Sequence, residues 1–191
     1  MESIPVGTFS GLATIHASMF GAIYDFAGKL RTVNIAKGNF RFAPVMYLDS
    51  ALKHIDAMPQ STFEEIVEKY VEMNVAHPFR EGNGRSTRIW LDAIFKKELR
   101  QVIDWSKIDK GDHLLAMERS PIKDVEIKAL LKNALTDKID DREVYMKGID
   151  ASYHLRGIMF TKRETSIQKA DVCTSCNDFH FRCSQAAAVH T

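Results

Sequence analysis

The twelve residues from His77 to Arg88 carry more chemistry than any other stretch of this sequence: His77-Pro78-Phe79-Arg80-Glu81-Gly82-Asn83-Gly84-Arg85, with Arg88 one helical turn further on. His77 is the only side chain among them whose ordinary pKa lies near neutrality, which suits it to take a proton from an attacking hydroxyl. Gly82-Asn83-Gly84 permits backbone angles that turn successive peptide N–H groups inward as a cradle for an anion. A helix starting there adds unpaired N–H groups and the positive end of its dipole. Arg85 and Arg88 are three apart, share a helix face and can reach phosphate oxygens through charge-assisted hydrogen bonds. Glu81 offers the hard oxygen that magnesium takes alongside phosphates and water. Phe79 reads as a buried anchor that holds the loop in shape. Singly, each residue has an ordinary role: a helix-end histidine, a turn, two solvated arginines. In this order and spacing they are the parts needed to hold a nucleoside triphosphate and to activate a nucleophile against one of its phosphates.

The elements that must position these residues read as helices. Leu12, Ile15, Met19, Phe20, Ile23 and Phe26 recur at three- and four-residue spacing, which predicts a first helix that stops at Gly28. Residues 31–35 and 40–42 are β-prone on either side of the turn-prone Lys37-Gly38-Asn39, a short hairpin signal whose alternative is a plain loop. A second helix is predicted over residues 45–57. A third opens at Ser61, with Glu64 completing a capping box, and presents Phe63, Ile66, Val67, Tyr70 and Val71 on its way to Asn74 and His77. Pro78 ends it. A fourth begins near Gly84 and runs through Trp90 to Leu99. Further helices are expected over residues 110–119, from Pro121 through Leu135, and from Asp140, with Glu143 in capping register, toward Leu155.

The chain has 191 residues, is 45% hydrophobic and carries a formal net charge of +1. That supports one globular domain with a real core and points away from bulk nucleic-acid binding. No apolar run is long enough for a membrane span and no secretory leader is evident, so a cytoplasmic protein is expected, with delivery elsewhere left open. The three cysteines all lie near the C-terminus, as expected without a disulfide framework.

The loop resembles the signature of the Fic-domain family, His-Pro-Phe-x-(Asp/Glu)-Gly-Asn-Gly-Arg-x-x-Arg, at every defined position. Phe26-Ala27-Gly28, Arg31-Thr32-Val33-Asn34 and Lys37-Gly38-Asn39-Phe40-Arg41-Phe42-Ala43 look like that family's approach to its flap hairpin. The resemblance covers roughly residues 11–157 and is nearest to short bacterial members with a C-terminal inhibitory helix. It implies a mainly α Fic fold: a compact helical bundle with a small β-hairpin flap, residues 1–157, including a regulatory helix from about residue 140. It implies a protein adenylyltransferase that moves AMP from ATP to a Tyr, Ser or Thr hydroxyl of a target protein and releases pyrophosphate. In that scheme His77 is the general base and Glu81 holds Mg2+. Gly82, Asn83 and Gly84 cradle phosphates, and Arg85 and Arg88 bind the outer ones. Lys37 and Asn74 are further candidates for nucleotide contact, against the alternatives of a solvated lysine and a helix-end cap. Phe40, Arg41, Phe42 and Ala43 would dock the target as an added strand. Another phosphodiester donor, UMP or phosphocholine, and a catalytically silent nucleotide-binding module are the alternatives. Membrane and direct nucleic-acid partners are not expected, and self-association stays open.

Two features depart from the family pattern. Its C-terminal helix carries Ser-x-x-x-Glu-Gly, whose glutamate ties up the second motif arginine. Here the frame is Ser152-Tyr153-His154-Leu155-Arg156-Gly157, and Arg156 would repel Arg88 rather than pair with it. Tyr153 becomes a candidate for self-modification, with packing as its alternative role. Residues 158–191 form an atypical tail in which Cys173, Cys176, His180 and Cys183 are four zinc-competent ligands, with incidental cysteines as the alternative. Zinc by elemental analysis separates those two. The lost glutamate predicts that Arg156→Glu lowers automodification with labelled ATP markedly; equal labelling of the two proteins would refute a lost restraint.

Overall fold

The computed structural model describes residues 5–38, 40–144 and 146–147. The central helix starts where Thr62 accepts a hydrogen bond from the Glu65 amide at 3.3 Å and the Glu65 carboxylate accepts from the Thr62 amide at 3.0 Å. The capping box is therefore one residue later than Ser61/Glu64, because the Ser61 amide also donates to Glu65, at 2.8 Å. From it runs α3 (Phe63–Ala76), which buries Ile66, Val67, Tyr70 and Met73. It packs against α2 (Val45–Ala57) and α4 (Asn83–Glu98), and α4 lies in turn against α1 (Phe9–Phe20). Trp90, Leu91, Ile94 and Phe95 of α4 are fully buried, so the helix that opens at the glycine loop is also the centre of the core. The Trp90 indole N–H donates to the Thr8 carbonyl at 3.0 Å and fixes the start of α1 on α4.

Helix α1 ends at Phe20 rather than Phe26. A helix continued to Gly28 would carry that residue about 16 Å along the axis from Ala17. Instead the chain folds back: Ile23 and Tyr24 donate to the Phe20 carbonyl, and Gly28, at φ +75, lies so close that a β-carbon there would be 3.0 Å from that of Ala17. The hairpin forms from β1 (Ala36–Lys37) and β2 (Phe40–Arg41), paired Ala36↔Arg41 and Lys37↔Phe40. It is shorter than the β-prone run because Arg31 and Asn34 turn their side chains onto backbone groups, Asn34 accepting from the Val45 amide at 2.8 Å.

Two further regions differ from the sequence expectation. Pro121 does not open a helix; Ile122 and Lys123 both donate to the Arg119 carbonyl and close the end of α5 (Lys110–Arg119). The next helix, α6 (Val125–Ala134), starts after Asp124. A second strand pair, β3 (Val102–Ile103) with β4 (Leu135–Thr136), closes the chain ends after α4 and α6 antiparallel. Residues 142–144 and 146–147 are helical, starting after Asp141, whose carboxylate accepts from the Glu143 amide, while Asp140 pairs with Lys96 at 2.6 Å. Ser152, Tyr153, Arg156, Cys173, Cys176, His180 and Cys183 lie outside the described residues, as does the boundary expected at residue 157. Among the described residues no helix is long and apolar enough to cross a membrane.

Arg31 joins these parts. It is 2% exposed. Its amide donates to the Pro78 carbonyl at 2.9 Å, Nε to His77 at 2.8 Å, Nη1 to Val33 at 2.8 Å, and Nη2 to Ala76 at 3.1 Å and to Ala43. Burial pushes its pKa down, while the carbonyl end of α3 is where a cation is favoured. Arg31→Met removes the donors and leaves several carbonyls unpaired; the expected loss is about 3 kcal/mol or more of folding free energy, read from urea unfolding.

Candidate active site

His77 follows the last residue of α3 in the left-handed region, at φ 47 and ψ 63. Its amide still donates to the Met73 carbonyl at 3.1 Å, while Pro78 has no amide to continue the helix. The turn aims the imidazole toward the hairpin, where Phe42 stacks on it with centroids 3.6 Å apart and planes at 18°. Nδ1 is buried with no fully formed hydrogen bond. Burial pushes the His77 pKa down to about 4, the nearby Asn74 backbone carbonyl opposes this, and Arg31 and Lys37 push the same way as burial. His77 is thus neutral at physiological pH. With the proton on Nδ1, facing the Asn74 carbonyl, the Nε2 lone pair is available as a base. Asn74 acts here through its backbone, and Lys37, exposed on β1, acts on His77 through its charge.

The loop after Pro78 is braced from inside. Phe79 is fully buried and stacks on His16 with ring centroids 3.8 Å apart. Asn83, 3% exposed, clasps it: the Phe79 amide donates to Asn83 Oδ1 at 2.9 Å and Asn83 Nδ2 donates to the Phe79 carbonyl at 2.7 Å. The Asn83 side chain is therefore engaged in shaping the loop, and its backbone N–H has no protein partner among the described residues. His16 accepts from the Gly28 amide at Nδ1, 2.9 Å, so its proton sits on Nε2 and is donated to the Glu81 carbonyl at 2.8 Å. Neither His16 nor Arg31 was identified from the sequence as part of the site. The available signal was a histidine placed among Leu12, Ile15 and Phe20 on the apolar face of α1.

Gly82 and Gly84 differ in purpose. Gly82 sits at φ +84, and a β-carbon there would lie 2.6 Å from the Phe20 ring. Gly84 is exposed, and a β-carbon there would meet nothing within 4 Å. Its bare face opens outward where helix α4 begins. The first intrahelical amide bond is Ser86 to Gly82, at 3.1 Å. Among the described residues the amides of Asn83, Gly84 and Arg85 have no protein partner, which leaves a set of donors at the positive end of the dipole. Arg85 lies over the Phe20 ring at 4.6 Å and Arg88 over the Trp105 ring at 5.0 Å. Glu81 is exposed at the start of the cradle. Among the described residues no three His, Cys, Asp or Glu side chains are grouped to hold a metal ion. A single carboxylate such as Glu81 could meet a magnesium ion only together with phosphate oxygens and water. The flap brings Phe42 to His77 and Ala43 to α3, where the Ala43 amide donates to the Val75 carbonyl at 2.9 Å; Phe40 packs edge-on to Phe42 and Arg41 is exposed.

Residues 8–95 match the family model described as the Fic/DOC family. The chain is 32% identical over 144 residues to the protein adenylyltransferase VbhT of Bartonella schoenbuchensis, covering 68% of this chain and 30% of that protein. It is 34% identical over 113 residues to the probable protein adenylyltransferase Fic of Escherichia coli, covering 52% of this chain and 54% of that one. The chain thus spans about a third to a half of the length of these relatives. Among solved structures, the BepC effector of Bartonella tribocorum with bound AMPPNP superposes with a TM-score of 0.58 at 20% identity, over 71% of this chain and 78% of that one. The N-terminal Fic domain of an effector from Bartonella sp. AR 15-3 gives 0.61 at 19%, over 71% and 74%.

The two glycines separate folding from ligand binding. Gly82→Ala should lower the unfolding midpoint through strain and collision with Phe20. Gly84→Ala should leave the midpoint within experimental error yet weaken binding of a triphosphate analogue. A common loss of stability would refute the distinction.

Proposed function

The chain carries a Fic/DOC-family domain on the Fic fold, and on that premise we propose that it is a protein adenylyltransferase that transfers AMP from ATP to a hydroxyl side chain of a target protein. The observation that supports this most is a neutral, half-buried imidazole held beside a hairpin, on the same braced loop as a helix N-terminus with unpaired amides and two guanidinium groups.

In this reading the amides of Asn83, Gly84 and Arg85 receive the inner phosphates, and Arg85 and Arg88 the outer ones. Glu81 would hold Mg2+ together with the phosphates, and the bound ion would supply charge neutralisation. The hairpin aligns an extended target segment, with Phe42 fixing the ring of His77. His77 Nε2 takes the proton of the target hydroxyl as its oxygen bonds to the α-phosphorus. The bond from that phosphorus to the α,β-bridging oxygen breaks, and pyrophosphate leaves with the electron pair. The arginines and amides stabilise charge that grows on the phosphate oxygens, which is the main requirement of such transfers.

The test is transfer of label from α-labelled ATP with Mg2+ to proteins of a bacterial lysate and to the protein itself. His77→Ala should cut transfer about 100-fold or more while leaving nucleotide binding intact. Because the His77 pKa is lowered, its basic form persists on acidification: kcat/KM should hold from about pH 8 to about pH 5 and fall toward pH 4, not near 6.5. Nucleotide binding without His77-dependent transfer would favour a silent binding module instead.

A further inference from the structure

Arg88 lies on an aromatic platform within the protein. Its guanidinium carbon is 5.0 Å from the centroid of Trp105, while its Nε is buried without a hydrogen-bond partner. The indole, not a hydrogen bond, therefore supports the inner part of the side chain. Trp105 is itself fixed: its indole N–H donates to Asp92 Oδ2 at 2.8 Å, and Asp92 Oδ1 accepts from the Ile103 amide at 3.0 Å. Asp92 is one turn beyond Arg88 on α4, so the arginine and the group that holds its platform share one helix face. The indole also meets His113 edge-on at 5.7 Å, and His113 contacts the buried Tyr70 hydroxyl at 3.3 Å.

We propose that Trp105, oriented by Asp92, is a positioning residue that holds the Arg88 guanidinium in place for the outermost phosphate, and so makes the site discriminate a nucleoside triphosphate from a monophosphate. This rests on reading the loop as a triphosphate site. An arginine with free rotamers loses more entropy when it grips a phosphate than one already laid flat on a ring. A tryptophan face is the strongest of the aromatic supports for a guanidinium. Only a ligand that reaches Arg88 gains from this arrangement. A ligand that ends at the inner phosphate contacts the amides of Asn83 to Arg85 and is indifferent to it.

The experiment is calorimetric binding of AMPPNP and of AMP, with Mg2+, to the full chain and its variants. Trp105→Leu should weaken AMPPNP about tenfold and leave AMP unchanged, with Trp105→Phe restoring most of the difference. Asp92→Asn, which keeps the shape but opposes one of the two N–H donors, should show the same selective loss in smaller degree, and it carries the test if Trp105→Leu does not fold. In an Arg88→Ala background, Trp105→Leu or Asp92→Asn should have no further effect on AMPPNP. If either variant weakens both nucleotides equally, or still weakens AMPPNP without Arg88, the positioning role is overturned while the triphosphate site stands. If the unaltered protein binds neither nucleotide, the triphosphate reading fails first and takes this inference with it.

Discussion

One buried guanidinium determines where His77 and the hairpin lie. Arg31 enters the interior without a carboxylate partner; it is satisfied by the carbonyls of Val33, Ala43, Ala76 and His77. Two of these are the last carbonyls of α3, where a cation answers the helix dipole, and two belong to the strands' flanks. The same side chain thus ends the helix that delivers His77 and anchors both approaches to the hairpin. His77 and the hairpin are thus tied to one group. A lysine could supply the charge but not a planar fork reaching carbonyls in several directions.

Around that joint Arg31, Arg85 and Arg88 are held without direct ion pairs among the described residues; the first rests on carbonyls, the others on the rings of Phe20 and Trp105. Aromatic support holds a guanidinium without neutralising it, which a carboxylate would do. Burial first, and then the charges of Arg31 and Lys37, keep His77 neutral. His16 completes the arrangement by fixing Glu81 through its carbonyl and Phe79 through its ring. The loop is rigid where it faces the core and bare where it faces outward.

How far the sequence could be read depended on the range of each interaction. Helices α2 and α5 have the bounds their spacing predicted, because apolar periodicity and local caps are short-range signals. The chemistry of the loop was legible for the same reason: His77, Glu81, the glycines and the arginines are neighbours in the chain. The end of α1, the start of α6 and the β3–β4 pair were not. The first and last depend on a contact from outside the element, such as Gly28 folding onto Ala17 or Ile103 pairing with Leu135, while α6 is displaced by a turn in which Ile122 and Lys123 close onto the Arg119 carbonyl. Arg31 and His16 were missed on the same grounds, since their partners lie 46 and 65 residues away. The clasp of the Asn83 side chain on Phe79 was not legible either, because it depends on the folded shape of the loop.

The hairpin is two residues on each strand. A segment that adds to such an edge can form only two or three backbone hydrogen bonds, each contributing about 1 kcal/mol net. That falls far short of the roughly 8 kcal/mol of a micromolar complex. A partner held by this edge alone would dissociate quickly. Short residence is a handicap for an adaptor, whose task is to retain, and an advantage for a catalyst, whose rate depends on letting go. If a partner segment does add to this edge, the brevity of the hairpin leaves most of the choice among partners to contacts elsewhere.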